Sequence, residues 1–316
     1  MKMRSSVAVA GIAVLALFGT ACGKDGSPEA KTPGGTTGGS QGAPGAPGAS
    51  KPELPTYTPK TDVALTGSKT FDNAKKRGKL VVGAKEDQPF LGSKDPATGK
   101  YSGFDIEIAK MIAADLGFGP DKIEFKAIAS TNRENALVNG DIDYYVGTYS
   151  ITDKRKEQVS FAGPYYIAGQ SLLVRKNETA ITGKDTIKGK TVCSAKGSTP
   201  LQNLQTKFPD TTTRVFDTYS LCVESLLSNQ VDAVSTDDAI LKGYAAKDPG
   251  ALKVVGEPFT TENYGVGLNK DDAVFRNAVS DAIEAHEKSG DWKKAYDATL
   301  GLSGSAAPAI PALVRY

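Results

Sequence analysis

The stretch Gly103–Leu116, GFDIEIAKMIAADL, decides the fold class. An acidic turn runs into a helical repeat in which Ile106, Ile108, Ile112, Ala113 and Leu116 can form one apolar stripe. By itself this reads as a surface helix laid on an α/β sheet. Around it, short apolar runs alternate with helical patterns from Phe71 onward, the signature of α/β layers. Leu80–Val82, Ile142–Thr148 and Ser171–Arg175 read as strands. A second βα series then runs through Thr191–Ser194, a helix near Thr199–Lys207, Thr213–Asp217, a helix near Ser220–Leu227, Val231–Ser235 and a helix near Asp237–Ala246. A strand at Tyr264–Leu268, helices at Asp271–Lys288 and Trp292–Leu300, and a loose Ala- and Pro-rich tail over 305–316 complete the chain. Periodicity leaves one sheet or two equally open.

The N-terminus bears on compartment. Lys2 and Arg4 precede an apolar run, Val7–Phe18, that is too short to span a bilayer and fits an export signal over 1–21. Gly19-Thr20-Ala21-Cys22 is similar to a bacterial lipobox, with Gly19 in place of the usual Leu, and implies a lipidated Cys22. Plain secretion after cleavage at Ala21 is the alternative. Residues 22–60 are rich in Gly, Pro, Ser, Thr and Ala, too poor in large apolar side chains to offset their ordering entropy, and read as a flexible tether. The formal charge is +2, from 38 basic and 36 acidic residues, which gives no reason to expect nucleic acid. Beyond Cys22, Cys193 and Cys222 remain; an oxidising compartment favours a disulfide between them, with two buried free thiols as the alternative. The single histidine, His286, lies far from both cysteines in sequence, so no metal site is expected, and its acidic neighbours suggest a solvated side chain.

The helix of the opening stretch is followed by STNRENAL (130–137), GTYSITDKR (147–155) and FAGPYY (161–166). That ordered series resembles the family 3 solute-binding proteins, extracytoplasmic receptors of polar amino-acid ABC transporters, over about Phe71 to Leu302. The resemblance implies a two-lobed type II periplasmic-binding-protein (Venus-flytrap) fold, with a central mixed sheet in each lobe. Two hinge crossings are implied near Tyr165–Gly169 and Thr260–Tyr264. Lobe one would comprise 61–169 and 260–304, and lobe two 170–259. It further implies a monomer without cofactor, held at the outer face of the cell membrane by its lipid, that delivers its ligand to an ABC permease.

A free amino acid presents a carboxylate and an ammonium, and its capture requires fixed groups that replace their water. Arg155 suits the carboxylate, because guanidinium binds it through two parallel hydrogen bonds. The resemblance assigns Arg155 to the α-carboxylate, with Thr148 and Ser150 contributing at a strand end and Asp153 capping the short helix. STDDAIL (235–241) resembles the lobe-two motif whose first acid, Asp237, binds the ammonium. KGSTP (196–200) precedes a helix, and Ser198 and Thr199 there would present hydroxyls and free backbone N–H groups to an anion, or simply cap the helix. Lys85 in AKEDQPF (84–90) falls where glutamate and aspartate receptors carry a cation for the distal carboxylate. Arg133 matches a second such cation, with Ser130 beside it, and Phe90 either pads the ligand methylenes or belongs to the core. VCSAKGSTP, DTYSLCVESL and VDAVSTDDAILKGYA resemble the actinobacterial glutamate-binding lipoproteins, both cysteines included. L-glutamate, or L-aspartate, is therefore the expected ligand; glutamine, asparagine or a sensing role are the alternatives.

Enzyme motifs fail. Gly301-Leu302-Ser303-Gly304-Ser305 lacks the fifth-position glycine of a nucleophile elbow, and Gly265-Val266-Gly267 lacks the third glycine of a dinucleotide loop. The same fold hosts cyclohexadienyl dehydratases, the one enzymatic rival.

Overall fold

The computed structural model describes residues 52–315. The export signal, Cys22 and the tether up to residue 51 lie outside them. Lobe one opens with α1 (Lys69–Arg77), whose cap Ser68 accepts the Phe71 amide at 3.1 Å. It continues through β1 (Leu80–Ala84), the small strands β2 (Asp87–Gln88), β3 (Gly92–Lys94) and β4 (Tyr101–Ser102), and α2 (Phe104–Asp115). β5 (Ile123–Ala127), α3 (Arg133–Val138), β6 (Tyr144–Val146), α4 (Asp153–Lys156) and β7 (Val159–Ala168) follow. After Gly169 the chain enters lobe two as β8 (Gln170–Arg175), β9 (Thr191–Ala195), α5 (Thr199–Lys207) and β10 (Thr212–Phe216). It goes on through α6 (Tyr219–Leu227), β11 (Ala233–Asp237), α7 (Asp238–Lys247) and β12 (Leu252–Val255). β13 (Glu262–Asn269) returns to lobe one, and α8 (Ala273–Ser289) and α9 (Asp291–Ala298) close it.

Two mixed five-stranded sheets result, in the orders β5-β1-β6-β13-β7 and β10-β9-β11-β8-β12. In the first, β5, β1 and β6 run parallel and β13 returns antiparallel. In the second, β10, β9 and β11 run parallel, β8 opposes them, and β12 pairs antiparallel with β8 and so runs in their direction. Every residue of β1 is buried, as expected for a central parallel strand covered on both faces. The crossings lie side by side: the Gln170 amide donates to Thr260 Oγ1 at 2.9 Å, and the Phe259 amide to the Gln170 carbonyl at 2.9 Å. A side chain on Gly169 would stand 2.6 Å from the Thr260 carbonyl, so glycine permits that contact.

Three elements differ from their reading in the sequence. α2 is not a surface helix: Phe104 through Ala109 and Met111 through Ala114 are all buried. The sheet covers one side and α8 and α9 the other, so a two-sided burial replaced the single stripe. Past Ser305 the chain has no helix or strand, yet it is tied down. The Val314 amide donates to the Gly163 carbonyl at 2.9 Å, Arg315 pairs with Asp281 and Glu284, and Leu313 packs on the core. Likewise residues 52–60, at the end of the segment read as a tether, lie against lobe one. There Lys60 pairs with Asp115 at 2.9 Å and the Tyr57 ring meets His286 edge-on at 5.6 Å.

Cys193 on β9 and Cys222 on α6 form a disulfide with 5.5 Å between their Cα atoms, separated by 29 residues. Closing a loop of that length stabilises the fold by about 3–4 kcal/mol in the chain-entropy model. It also fixes α6 to the lobe-two sheet.

Candidate functional site

Parallel strands of an open α/β sheet direct the loops at their carboxyl ends to one side, where ligands bind. Lys85 directly follows β1, Ser130 and Arg133 follow β5, and Thr148 and Ser150 follow β6. From the other lobe, Ser198 follows β9 and Asp237 ends β11. Topology thus brings together residues that lie far apart in sequence.

Lobe one presents buried cations. Lys85 is 5 % exposed and its Nζ donates to Ser130 Oγ at 2.7 Å. Arg133, 2 % exposed, spends its guanidinium on carbonyls: Ser130 at 3.1 Å, Thr148 at 3.4 Å and Gly197 at 3.3 Å. Neither side chain forms an ion pair among the described residues. Arg155 does have an acidic partner: its Nε meets Glu134 at 3.2 Å. Its remaining nitrogens donate to the carbonyls of Ser150 at 2.7 Å and Gly197 at 3.1 Å. Both guanidiniums lie over one ring, Tyr149, at 4.3 Å for Arg133 and 4.9 Å for Arg155. The negative face of that ring offsets part of their mutual repulsion.

Thr148 occupies a left-handed backbone position, φ 46°, which a β-branched residue adopts only where its surroundings compel it. Here its amide donates to Asp105 Oδ2 at 3.0 Å, its hydroxyl to Gln88 Oε1 at 3.2 Å, and its carbonyl accepts from Arg133. The acidic turn of the opening stretch therefore holds the site: Asp105 also accepts the Tyr165 hydroxyl at 2.8 Å.

Lobe two supplies a helix start and an acid. Ser198 caps α5, its Oγ accepting the Leu201 amide at 3.1 Å, while Thr199 reaches across the cleft. The Thr199 hydroxyl donates to Glu262 Oε2 at 2.8 Å and lies 3.2 Å from Ser150 Oγ. Asp237 is 3 % exposed; one carboxylate oxygen accepts the Tyr264 hydroxyl at 2.7 Å, and the other has no hydrogen-bond partner among the described residues. The Gln88 amide nitrogen is likewise buried and without a partner among the described residues. The lobes are shut on one another. Gly197, at φ 76°, passes so close to lobe one that a Cβ would stand 2.6 Å from Thr131 Cα. The enclosed space between Arg133, Thr148, Ser198, Thr199 and Asp237 is about 10 Å³, room for about one water. A groove of about 390 Å³ lined by Glu134, Arg155, Ser198 and Gln202 shares Ser130, Ser198 and Thr199 with it. An amino acid fits between these groups only if the lobes part.

Burial dominates the electrostatics. Burial, then repulsion from Arg133 and Arg155, pulls the Lys85 ammonium down to about 7, against the attraction of Asp87 and Asp105. Burial, then the Glu262 carboxylate, pushes Asp237 up to about 8, although the Tyr264 hydroxyl works the other way. Burial, then Arg133, lowers Arg155 to about 10. Burial also raises Asp105 to about 6.

Of the residues singled out in the sequence, Ser130, Arg133, Thr148, Ser198, Thr199 and Asp237 line the enclosed space and Arg155 the groove, while Lys85 and Ser150 stand one hydrogen bond behind them, on Ser130 and Thr199. Phe90, like Lys85 and Ser150, lines neither the enclosed space nor the groove; it is half-buried, packs against the core and has the Lys247 ammonium 5.2 Å from its ring. Thr152, not Asp153, caps α4: its Oγ1 accepts the Arg155 amide at 3.3 Å and Asp153 is exposed. His286 is not solvated but wedged between Asp291 at 2.9 Å and Asp115 at 3.5 Å. Burial acts to lower its pKa, and the two carboxylates outweigh that and raise it above the ordinary value. Sequence reasoning missed Gln88, Glu134, Tyr149, Glu262 and Tyr264. The first three stand inside quoted motifs, where their polar or aromatic character was the available signal; Glu262 and Tyr264 carried none.

Comparison with known proteins gives a consistent picture. Residues 80–301 match the bacterial extracellular solute-binding proteins, family 3. The glutamine-binding protein of Geobacillus stearothermophilus is 44% identical over 205 residues, 65% of this chain and 78% of that one. The glutamate-binding protein GluB of Corynebacterium glutamicum is 39% identical over 246 residues, 75% of this chain and 83% of that one. Among solved structures, an ancestral arginine-binding protein bound to glutamine superposes with a TM-score of 0.67 at 36% identity, covering 71% of this chain and 99% of that one.

Proposed function

The chain belongs to family 3 of the bacterial extracellular solute-binding proteins, and from that premise we propose that it captures L-glutamate and passes it to an ABC permease. Its relatives are amino-acid-binding proteins rather than enzymes, and this chain is a binding protein too. The observation that carries the choice of ligand is the pair Lys85 and Arg133, two buried cations with no acidic partner among the described residues; Arg133 lines the enclosed space and Lys85 donates to Ser130, which lines it too. An acidic side chain would satisfy them, whereas a neutral one would leave buried charge uncompensated.

In this reading Arg155 takes the α-carboxylate with Thr148 and Ser150, and the free oxygen of Asp237 takes the ammonium. Lys85, Arg133 and Ser130 hold the distal carboxylate, and Ser198 and Thr199 close from lobe two. Phe90 is left outside the contacts. Closing without a guest carries Lys85 and Asp237 into a dry interior that disfavours their charged forms. Shifts of this size correspond to on the order of 5 kcal/mol each. A guest bearing opposite charges offsets that cost, so closure follows occupancy.

A second reading, glutamine, draws on the lowered pKa of Lys85: a neutral amine tolerates an amide. Calorimetry against the twenty amino acids separates the two. Glutamate should bind at least about ten-fold more tightly than glutamine; the reverse order would give the site to glutamine.

The membrane attachment is proposed to be a diacyl group on Cys22, whose reach would come from residues 23–51. No helix among the described residues is long and apolar enough to cross a membrane. Mass spectrometry of the mature N-terminus tests this, and an unmodified or absent Cys22 would refute it.

A further inference from the structure

Two residues beyond Lys85 stands Asp87, to which none of the ligand contacts above gives a part. Its carboxylate leaves lobe one altogether. Oδ2 accepts the backbone amides of Tyr219 at 3.0 Å and Ser220 at 3.1 Å, in the first turn of α6 on lobe two. The Asp87 carbonyl accepts the hydroxyl of Tyr244, from α7 of lobe two, at 2.5 Å. The residue before Tyr244 on α7 carries the same contact further. A Cβ on Gly243 would lie 2.5 Å from the Pro89 carbonyl, so the two backbones meet there without room for a side chain.

One short strand of lobe one is thus seated against two helices of lobe two. The seat is rigid on both sides. On lobe two, α6 is joined to β9 by the Cys193–Cys222 disulfide. On lobe one, Asp87 and Gln88 pair with Ser93 and Gly92, and the Gln88 side chain accepts the Thr148 hydroxyl. A carboxylate meeting two free amides at a helix start gains both charge-assisted hydrogen bonds and the favourable end of the helix dipole. These bonds exist only when the lobes are shut, because their partners belong to different lobes.

We propose that Asp87 is a positioning residue for closure: it latches β2, which begins two residues past Lys85 and carries Gln88, onto α6 and α7, and so sets how long a captured amino acid stays. This rests on the hinge-closure reading and not on which amino acid is bound. The latch forms after the ligand has met lobe one, so it slows release and leaves capture untouched.

The test is rapid-mixing and chase kinetics on the full chain with radiolabelled L-glutamate and, separately, L-glutamine. Asp87→Ala should speed release by about 10- to 100-fold while association changes by less than about two-fold. Tyr244→Phe removes a single hydroxyl with little risk to folding, and should speed release by about three- to ten-fold. A merely structural role would lower the melting temperature and slow association without a selective effect on release. Unchanged release in both variants beside tight wild-type capture overturns this inference alone, as does a loss confined to association. Wild-type protein that captures none of the amino acids overturns the receptor reading, and this inference with it.

Discussion

The two walls of the cleft are built on different principles. Lobe one brings three buried cations, Lys85, Arg133 and Arg155, held by carbonyls, a serine hydroxyl, the Tyr149 ring and one acid, Glu134. Lobe two brings a capped helix start and a single buried acid with one free oxygen. The first wall is assembled mostly within its own lobe, through Asp105, Gln88 and Tyr165, and takes from the other side one carbonyl, that of Gly197, which accepts from both Arg133 and Arg155. The second makes its contacts largely by reaching across, through Thr199 to Ser150 and Glu262 and through Asp237 to Tyr264. The difference suggests a division of labour in which lobe one reads the charge of the guest and lobe two reports that it has been read.

That contrast can be broken at four places. Arg155→Ala should abolish capture of every amino acid, weakening affinity by about a thousand-fold or more, because it strips a buried charge-paired contact. Retained glutamate binding in calorimetry would remove Arg155 from the lobe-one wall. Gly197→Ala should weaken binding by roughly a hundred-fold, since its methyl group would press on the Thr131 backbone and hold the lobes apart. Small-angle scattering should then show an expanded shape at saturating glutamate; a compact one would mean that lobe two can close some other way.

Lys85→Met should cost glutamate about thirty-fold and glutamine much less. Equal losses for the two ligands would place Lys85 outside the side-chain pocket. The smallest effect is on pH. In the closed form Asp237 holds its proton up to about pH 8, and Lys85 is neutral above about pH 7. A bound ammonium and carboxylate require both groups charged. To the extent that the empty protein closes, binding below pH 7 releases a proton from Asp237, so affinity rises with pH; above pH 8 it takes one up at Lys85, so affinity falls. Between them the two exchanges cancel, giving a broad maximum with limbs no steeper than about ten-fold per pH unit. Asp237→Asn should flatten the acid limb alone. A monotonic profile would show that the two walls do not titrate in opposition.

Much of this was legible in the sequence, unevenly. GTYSITDKR, STNRENAL and AKEDQPF carried Arg155, Arg133 and Lys85 because a chemistry-bearing residue followed a strand in each, and strand ends in this fold point to the cleft. STDDAIL carried Asp237 for the same reason. Phe90 could not be placed, because an aromatic after a strand looks the same whether it faces a ligand or the core. Asp153 was mistaken for a cap because Thr152 precedes it by one residue and both types cap helices. His286 looked solvated because its carboxylate partners come from α2 and α9, and only one of them is near in sequence.

The linear chain by itself determined the alternation of strands and helices, the pair of cysteines able to join, and the residue types bound for the cleft. Those follow from local periodicity and from the chemistry of short motifs. Tertiary structure alone decided that α2 is buried on both faces, that the tail past Ser305 is held against lobe one, and that Glu262, Tyr264 and Asp87 bind the lobes together. Each of these depends on a partner from a distant element, and the free energy of such a contact exists only once the chain has brought the two together.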